Sequence, residues 1–306
     1  MKKSILFPGQ GSQFTAMGLD FYKNFKIAKD VFEEVDETLK IKLSKIIFED
    51  QSGLLNLTAN TQPAIMTTGV AIFRVLKETS GIKMSDFSYC AGHSLGEYTA
   101  LVCSDALSLK NASLILRERG EAMQTAVKPG EGVMAAVLGA EISEIENLIH
   151  DLSFSSVEIS NDNCPGQLVI SGKKNEVEKC CLEIKNKISK KSIALPVSAP
   201  FHCQLMKPAS EKMKETIMNI ELNSLKTPII SNVNVNEITD SNVIKNLLID
   251  QIYKKVRWRE IIEYMLKKNV LEFVEVGPGK TLSGMLKRFK KDIVVRNFNN
   301  IEDLDS

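Results

Sequence analysis

The sequence lacks three features that would point away from an ordinary globular protein: a charge excess, paired cysteine motifs and a long apolar run. The formal net charge is only +1, so the overall charge does not predict binding to nucleic acid. None of the six cysteines forms a Cys-x-x-Cys pair, and no histidine stands at metal-ligand spacing from them, which argues against a metal site. No apolar run approaches the roughly 20 residues that a membrane span needs.

Two further absences bear on the compartment. Only residues 4–7 separate the charged start of the chain from Pro8, and such a run is too short for the apolar core of a secretory signal. Because the cysteines show no disulfide or metal pattern, a reducing compartment is the simplest setting. The sequence therefore predicts a soluble protein of the cytoplasm.

What the chain does contain is typical of a globular protein. Its 306 residues are 43% apolar and 25% charged, which is enough for one large unit or two smaller ones with a hydrophobic core. Three local basic clusters lie at 185–191, 254–259 and 287–291. Each is typical of a solvated helix face.

The stretch that most clearly indicates chemistry is GHSLG at 92–96. It follows a short apolar run and precedes a helix-like run, which is the strand–turn–helix context of a nucleophile elbow. Glycines two residues away on either side leave room for a strained turn that exposes Ser94, near the positive end of the following helix. Ser94 is the candidate nucleophile; the alternative is a tight turn with an ordinary serine.

A second glycine-rich stretch, PGQGSQ at 8–13, follows a predicted first strand. It lacks the Gly-Lys-Ser/Thr of a phosphate-binding loop, and Phe14 stands where a dinucleotide fingerprint needs its last glycine. Elbow enzymes take one oxyanion N–H from the residue after the nucleophile and another from a separate loop. The backbones of Leu95 and Gln10 are the corresponding candidates here.

Arg119 falls within the apolar stripe of a helix predicted from about 107 to 126. It follows Ile115 and Leu116 by four and three residues and shares their face. An arginine on a buried stripe needs an anion, because an unpaired buried charge is costly. That anion is either a carboxylate of the protein or a carboxylate of the substrate, held by the planar guanidinium.

Residues 128–197 have a pattern of their own, which begins at a Pro-Gly turn. Strands are predicted near 133–139, 157–160, 167–171 and 192–197, helices near 141–152 and 175–188, and a loop at 161–166. This β-α-β-β-α-β order is that of the ferredoxin-like split unit. We predict an inserted subdomain over 128–197 in a larger domain made of 1–127 and 198–306.

The larger domain alternates helices and strands. The predicted helices span 20–50, 62–79, 107–126, 206–220, 243–251 and 259–268, and the later strands span 227–235, 271–276 and 292–298. Such alternation favours an α/β fold around a mainly parallel sheet.

The chain has only three histidines that could serve Ser94 as a base. His93 adjoins the nucleophile and points away from it, and His150 ends a predicted helix of the insert. His202 lies in a proline-marked loop where the insert returns to the larger domain, a typical place for a functional side chain. His202 is therefore the candidate base, with an ordinary loop histidine as the alternative.

Six motifs, taken in order, resemble those of a known family. They are FPGQGSQ at 7–13, GHSLGEY at 92–98, Arg119-Gly120, NCPGQ at 163–167, Pro200-Phe201-His202 and VEVGPG at 274–279. Together they are similar to the motifs of the malonyl-CoA:acyl-carrier-protein transacylases, the acyltransferases of type II fatty acid synthesis. The resemblance covers nearly the whole chain. It implies a hydrolase-like α/β domain with an inserted ferredoxin-like subdomain and an active site in the cleft between them.

The resemblance also implies a ping-pong reaction without cofactor or metal. Ser94, with its proton taken by His202, would attack the malonyl thioester and release CoA. The pantetheine thiol of the carrier protein would then accept the malonyl group. The backbone N–H groups of Gln10 and Leu95 would form the oxyanion hole, and Arg119 would hold the free malonyl carboxylate.

Three further residues take their expected roles from the resemblance alone. By motif, Gln251 supplies the backbone carbonyl that positions the histidine in place of an aspartate, and Asn163 lies near that histidine. Phe201 stands where related acyltransferases distinguish malonyl from methylmalonyl groups. A bulky ring at this position resembles the malonyl-selective pattern.

The expected partners are malonyl-CoA and an acidic, phosphopantetheinylated acyl carrier protein, which one of the basic clusters would receive. A monomer is implied, and neither nucleic acid nor a membrane is. The main alternative is a serine esterase or thioesterase of the α/β-hydrolase class, whose histidine usually lies near the end of the chain. His202 lies well before the end, and a neutral ester does not explain Arg119. A non-enzymatic scaffold would not need Ser94 and His202, and both are present.

Overall fold

The computed structural model describes residues 2–197, 199–289 and 292–305. Within these residues the strands fall into two sheets. The strands are β1 Lys2–Phe7, β2 Tyr89–Gly92, β3 Gly132–Leu138, β4 Glu158–Cys164, β5 Gln167–Lys173, β6 Lys191–Ala194, β7 Ile229–Ile230, β8 Glu237–Ile238, β9 Val270–Val276 and β10 Val294–Phe298. The helices are α1 Leu19–Asn24, α2 Lys26–Leu39, α3 Leu43–Glu49, α4 Thr58–Thr79, α5 Gly96–Cys103, α6 Leu109–Thr125, α7 Ile142–Asp151, α8 Lys174–Glu183, α9 Lys207–Asn219, α10 Ser241–Gln251, α11 Trp258–Lys267 and α12 Thr281–Leu286.

The larger sheet has the strand order β10-β9-β1-β2-β7-β8. Its strands are parallel except β8, which runs antiparallel to β7. Side chains alternate along β1, so Ile5 and Phe7 enter one hydrophobic cluster and Leu6 enters the other. Hydrophobic cover on both faces is typical of parallel sheets. The predicted α/β fold with a parallel-sheet core is confirmed.

The smaller sheet is antiparallel, in the order β4-β5-β3-β6. Helices α7 and α8 cover one of its faces, where Val137 and Ile170 pack against Ile145. The other face turns Met134 and Val169 towards the main hydrophobic cluster. The smaller sheet therefore forms a wall that faces the larger part of the molecule.

The predicted loop at 161–166 is wrong for most of its length, because β4 continues to Cys164. The extra residues of β4 pair with a distant segment: Asp162 N donates to the Val256 oxygen, and Val256 N donates to the Ser160 oxygen, each at 2.9 Å. The fully buried Asp162 carboxylate also forms an ion pair with Arg259 at 2.9 Å. Since these partners lie far away in the sequence, no local pattern could reveal the longer strand.

Other boundaries also moved. The strand predicted at 227–235 is only Ile229–Ile230, because Asn232 leaves the sheet and bonds to other parts of the chain. The helix predicted from residue 62 begins at Thr58, so that Pro63 lies inside it. The helical region 20–50 is divided into α1, α2 and α3. The remaining predicted helices and strands occur within a few residues of their expected bounds.

The basic cluster at 254–259 is largely neutralised by carboxylates. The pairs are Lys254 with Asp250, Lys255 with Glu146, Arg257 with Glu260, and Arg259 with Asp162 and Glu263. The last two residues of the cluster at 287–291 lie outside the described residues, as does residue 198 at the predicted domain boundary. In the described ranges, no helix has the length and apolar character needed to cross a membrane.

Candidate active site

Ser94 occupies the turn between β2 and α5 with a φ of 52°, a conformation that residues with side chains rarely adopt. The flanking glycines make the turn possible. A Cβ on Gly92 would lie 1.8 Å from the backbone of Gly96, and a Cβ on Gly96 would lie 2.3 Å from the Phe7 oxygen. The strand–turn–helix therefore has the tight geometry that the glycines of GHSLG indicate.

Asn232, which sequence reasoning missed, holds this turn in place. Its Oδ1 accepts from the backbone N of Ser94 at 2.7 Å, and its Nδ2 donates to the Gly92 oxygen at 2.8 Å. The only signal in the sequence was its position near the end of a predicted strand, since site residues tend to follow the carboxyl ends of parallel strands.

His202 is hydrogen-bonded to the candidate nucleophile. Its Nε2 lies 2.9 Å from Ser94 Oγ, and its Nδ1 lies 2.7 Å from the backbone oxygen of Gln251. A carbonyl oxygen only accepts, so Nδ1 carries the proton and Nε2 offers its lone pair to the serine hydroxyl. Burial, followed by the Arg119 charge, lowers the pKa of His202 to about 3. The imidazole is therefore neutral at neutral pH, as a general base must be.

Two backbone N–H groups border the cleft beside Ser94. In the described parts of the chain, neither Leu95 N nor Gln10 N donates a hydrogen bond to a protein acceptor, and both residues line the same cleft. Gly9 allows the Gln10 loop to approach the elbow, because a Cβ there would lie 2.5 Å from the His93 oxygen. Unpaired donors next to a nucleophile are what an oxyanion hole requires.

Arg119 is fully buried next to the serine. Its Nη1 donates to Gln62 Oε1 at 2.6 Å. Its Nη2 donates to Gln251 Oε1 at 2.9 Å and to Ser94 Oγ at 3.1 Å. The guanidinium carbon lies 5.7 Å from the centre of the Tyr98 ring, an arrangement that attracts a cation. Gln62 was also missed by sequence reasoning, which placed it only at the start of a helix.

The acceptors around Arg119 are all uncharged. The sequence left open whether a carboxylate of the protein or of a substrate meets this arginine. Among the described residues no carboxylate forms an ion pair with it; the Glu97 charge acts on it from a distance, while the Glu97 oxygens bond to other groups. A buried cation without a contacting anion favours an anionic ligand.

Asn163 bonds to a histidine other than the candidate base. The resemblance implies a place near His202, and both residues line the same cleft; the side-chain oxygen of Asn163 lies 3.0 Å from Nε2 of His93. The ring of His93 in turn packs against Trp258, with 5.5 Å between ring centres. Side chains alternate along β4, so Asn163 faces the elbow from the opposite wall of the cleft while Asp162 points to Arg259.

Gln10, Ser94, Leu95, Asn163 and His202 line a cleft of about 210 Å³, and Arg119 bonds to two of the lining residues, Gln62 and Ser94. Phe201 is buried and lines the cleft beside His202. Several apolar side chains complete the lining, among them Met123, Met134, Val169, Leu195 and Met285. Within the described residues, no group of three or more His, Cys, Asp or Glu side chains could hold a metal ion.

Comparisons with known proteins agree with one another. Residues 5–300 match the family model described as the acyl transferase domain. The malonyl CoA-acyl carrier protein transacylase of Bacillus subtilis is 45% identical, and the match covers 98% of this chain and 95% of the relative.

Two solved structures are similar over the whole chain. The malonyl CoA-acyl carrier protein transacylase of Clostridium perfringens is 39% identical with a TM-score of 0.94, over 100% of this chain and 95% of the other. A malonyl-transacylase in complex with its type II PKS acyl-carrier protein is 34% identical with a TM-score of 0.95, over 100% of this chain and 98% of the other.

Proposed function

Because the chain belongs to the acyl transferase domain family, and within it to the malonyl CoA-acyl carrier protein transacylases, we propose that it transfers malonyl groups from CoA to acyl carrier protein for fatty acid biosynthesis. The observation that carries this proposal is the environment of Arg119. A fully buried guanidinium with only uncharged acceptors lies 3.1 Å from the hydroxyl of a histidine-bound serine. An acyl donor with a free carboxylate supplies the missing anion.

In the first half-reaction, Ser94 Oγ attacks the thioester carbonyl of malonyl-CoA. His202 Nε2 takes the hydroxyl proton as the C–O bond forms. The tetrahedral intermediate then collapses, the C–S bond breaks, and the proton on His202 passes to the sulfur of the departing CoA. The product is a malonyl ester on Ser94.

In the second half-reaction, the pantetheine thiol of the carrier protein replaces CoA. Its proton passes to His202 as the sulfur attacks the ester carbonyl. The C–O bond to Ser94 then breaks, and the serine recovers its proton from the imidazolium. The Gln251 carbonyl keeps Nδ1 protonated throughout, so that the same nitrogen serves as base and acid in both halves.

The remaining site residues act on the acyl group. The N–H groups of Leu95 and Gln10 stabilise the oxyanion of both tetrahedral intermediates. Arg119 binds the malonyl carboxylate, and the charge-assisted hydrogen bonds orient the thioester towards Ser94. The Phe201 ring narrows the cleft next to His202 and disfavours an α-methyl group on the acyl chain. Asn163 supports His93 at the opposite wall.

We assign residues 1–127 and 198–306 to a hydrolase-like acyltransferase domain and 128–197 to an inserted ferredoxin-like subdomain. The β-α-β-β-α-β element order of the insert and its strand order β4-β5-β3-β6 support this assignment.

A monomer is expected, and light scattering would measure the molar mass in solution. The six free cysteines support a reducing compartment, the cytoplasm.

The test is the intact mass of the protein after brief incubation with malonyl-CoA, beside the Ser94→Ala variant. We expect a malonyl adduct on the native chain and none on the variant. The adduct should persist in buffer and be discharged by phosphopantetheinylated carrier protein.

Two outcomes would contradict the proposal. Release of CoA without an adduct, independent of carrier protein, would make water the acceptor and support the thioesterase alternative. A malonyl adduct of equal yield on Ser94→Ala would remove Ser94 from the chemistry.

A further inference from the structure

Glu97 is a buried carboxylate to which the reaction above assigns no role. It is the second residue of α5, three positions after Ser94, and only 2% of its surface is exposed. Its Oε1 accepts from the backbone N of Asn232 at 2.7 Å. Its Oε2 accepts from Nε2 of the Gln251 side chain.

The two partners of Glu97 hold the proposed catalytic residues. Asn232 fixes the elbow through the backbone of Ser94 and Gly92. Besides Glu97, Gln251 contacts three groups: its backbone oxygen accepts from His202, its Oε1 accepts from Arg119, and its Nε2 donates to the backbone oxygen of Ser94 at 3.0 Å. The Glu97 carboxylate therefore bonds to both residues, Asn232 and Gln251, that hold the site in place.

The direction of the Gln251 amide depends on this arrangement. Arg119 only donates hydrogen bonds, so Oε1 must face it. Nε2 then faces the Ser94 oxygen and the Glu97 carboxylate, which both accept. If Glu97 lost its acceptor, the amide would lose one of the partners that fix its orientation, and with it the constraint on Arg119.

We propose that Glu97 is a positioning residue which, by holding Asn232 and Gln251, sets Ser94, His202 and Arg119 in one reactive arrangement. The inference rests on the proposed function for the roles of those three residues. Glu97 does not line the cleft, and its hydrogen bonds go to Asn232 and Gln251, so its effect passes through these two partners.

The hydrogen-bond pattern also indicates the ionised form of Glu97. Burial raises the pKa of this carboxyl to about 8. Both carboxyl oxygens, however, accept from N–H donors. A carboxyl proton that points at either donor would repel the hydrogen of that N–H group. The contacts thus fit a carboxylate. Its negative charge also stabilises the positive charge of the buried Arg119.

The informative variant is Glu97→Gln, which keeps the size of the side chain. Its NH2 group must face either Asn232 N–H or Gln251 Nε2, and both are donors. We expect malonyl-serine formation to slow at least ~10-fold and the malonyl-to-acetyl preference to fall at least ~3-fold. Glu97→Asp keeps two acceptors on a shorter stem and should lie between the native protein and Glu97→Gln in both measurements.

A matched control is Glu275→Gln. Glu275 is also fully buried and accepts from two backbone N–H groups, those of Leu282 and Ser283, but it has no hydrogen bond to Asn232 or Gln251. This variant should lower the melting temperature without changing the malonyl-to-acetyl preference. The comparison separates positioning from a general loss of stability.

A second readout does not depend on malonyl chemistry. A fluorophosphonate probe modifies an activated serine as the Oγ–P bond forms, the P–F bond breaks and the serine proton passes to the histidine. We expect Glu97→Gln to react at least ~10-fold more slowly than the native protein. If malonyl transfer fails in the native protein while this difference remains, the proposed function is wrong and the role of Glu97 in activating Ser94 stands.

The inference would be overturned if folded Glu97→Gln kept rate, preference and probe reactivity within twofold of the native protein. It would also be overturned if the variant matched Glu275→Gln, with a lower melting temperature as the only change. If Glu97→Gln does not fold, native rate and preference in Glu97→Asp would overturn it, because the shorter side chain should hold the two partners less closely.

Discussion

The two walls of the cleft are built differently. On the side of the larger sheet, polar groups are held from several directions: His202 lies between Ser94 and Gln251, and Arg119 between Gln62, Gln251 and Ser94. On the side of the smaller sheet, the wall is mainly apolar at Met134 and Val169, with Asn163 bonded to His93. The first wall therefore holds most of the hydrogen-bonded polar groups of the site, and the second gives the cleft an apolar boundary.

Strand direction explains this difference. The Gln10 loop follows β1, the elbow follows β2 and Asn232 follows β7, and these three strands are parallel neighbours in the larger sheet. Their carboxyl ends meet at one edge, which brings together loops that are far apart in the sequence. In the antiparallel sheet the carboxyl ends of neighbouring strands lie at opposite edges, so this sheet borders the cleft with one of its faces.

The sharpest test of the difference between the two walls is His202→Ala, on the side of the larger sheet. We expect acyl transfer to fall by roughly 10²- to 10⁴-fold, because the variant removes the proposed general base. Stopped-flow measurement of CoA release would give the rate of the first half-reaction. His150→Ala is the control, since this exposed histidine on α7 is remote from the cleft; a loss of less than tenfold in His202→Ala would place the base elsewhere.

Arg119→Ala should have the next largest effect. We expect the malonyl-to-acetyl ratio of kcat/KM to fall about 10²-fold, equivalent to ~2.7 kcal/mol, since only malonyl offers the carboxylate that we propose the guanidinium binds. Arg117→Ala is the matched control, because Arg117 lies two residues away on the same helix and pairs with Glu121. Equal losses with both acyl groups would make Arg119 structural.

The pH profile of Arg119→Ala independently measures the effect of the Arg119 charge on the pKa of His202. The Arg119 charge is one cause of the lowered pKa of His202, second to burial. Removing it should raise that pKa, so that with acetyl-CoA the acid limb of kcat/KM shifts to higher pH. An acid limb at the native pH would mean that the guanidinium does not act on the histidine.

Asn163→Ala, on the opposite wall, should have the smallest effect. It removes one hydrogen bond to His93, worth ~1 kcal/mol, so we expect kcat to fall by about fivefold and the malonyl-to-acetyl ratio to stay unchanged. Steady-state kinetics with both acyl donors, beside exposed Asn175→Ala on α8, would measure this. A loss as large as that of His202→Ala would show that the smaller sheet takes part in the chemistry.

Local patterns in the sequence determined a large part of this protein. The glycines of GHSLG required a tight turn, and the structure has it with Ser94 at positive φ. The place of Arg119 on an apolar stripe required burial, and Arg119 is fully buried. The β-α-β-β-α-β order was readable from periodicity. Steric limits and side-chain spacing act between residues a few positions apart, so they can be read from the sequence.

Only the tertiary structure decided which distant groups meet. Asn232 and Gln62 bond to the site from elements far from Ser94 in the sequence, and Glu97, although it belongs to the elbow helix, finds both of its partners at a distance along the chain. The hydrogen bond of Asn163 to His93 joins residues 70 positions apart, on a strand that runs past its predicted end and pairs with Val256. Hydrogen bonds need their atoms within about 3 Å, and that proximity depends on how the two sheets pack, which no short stretch of chain encodes.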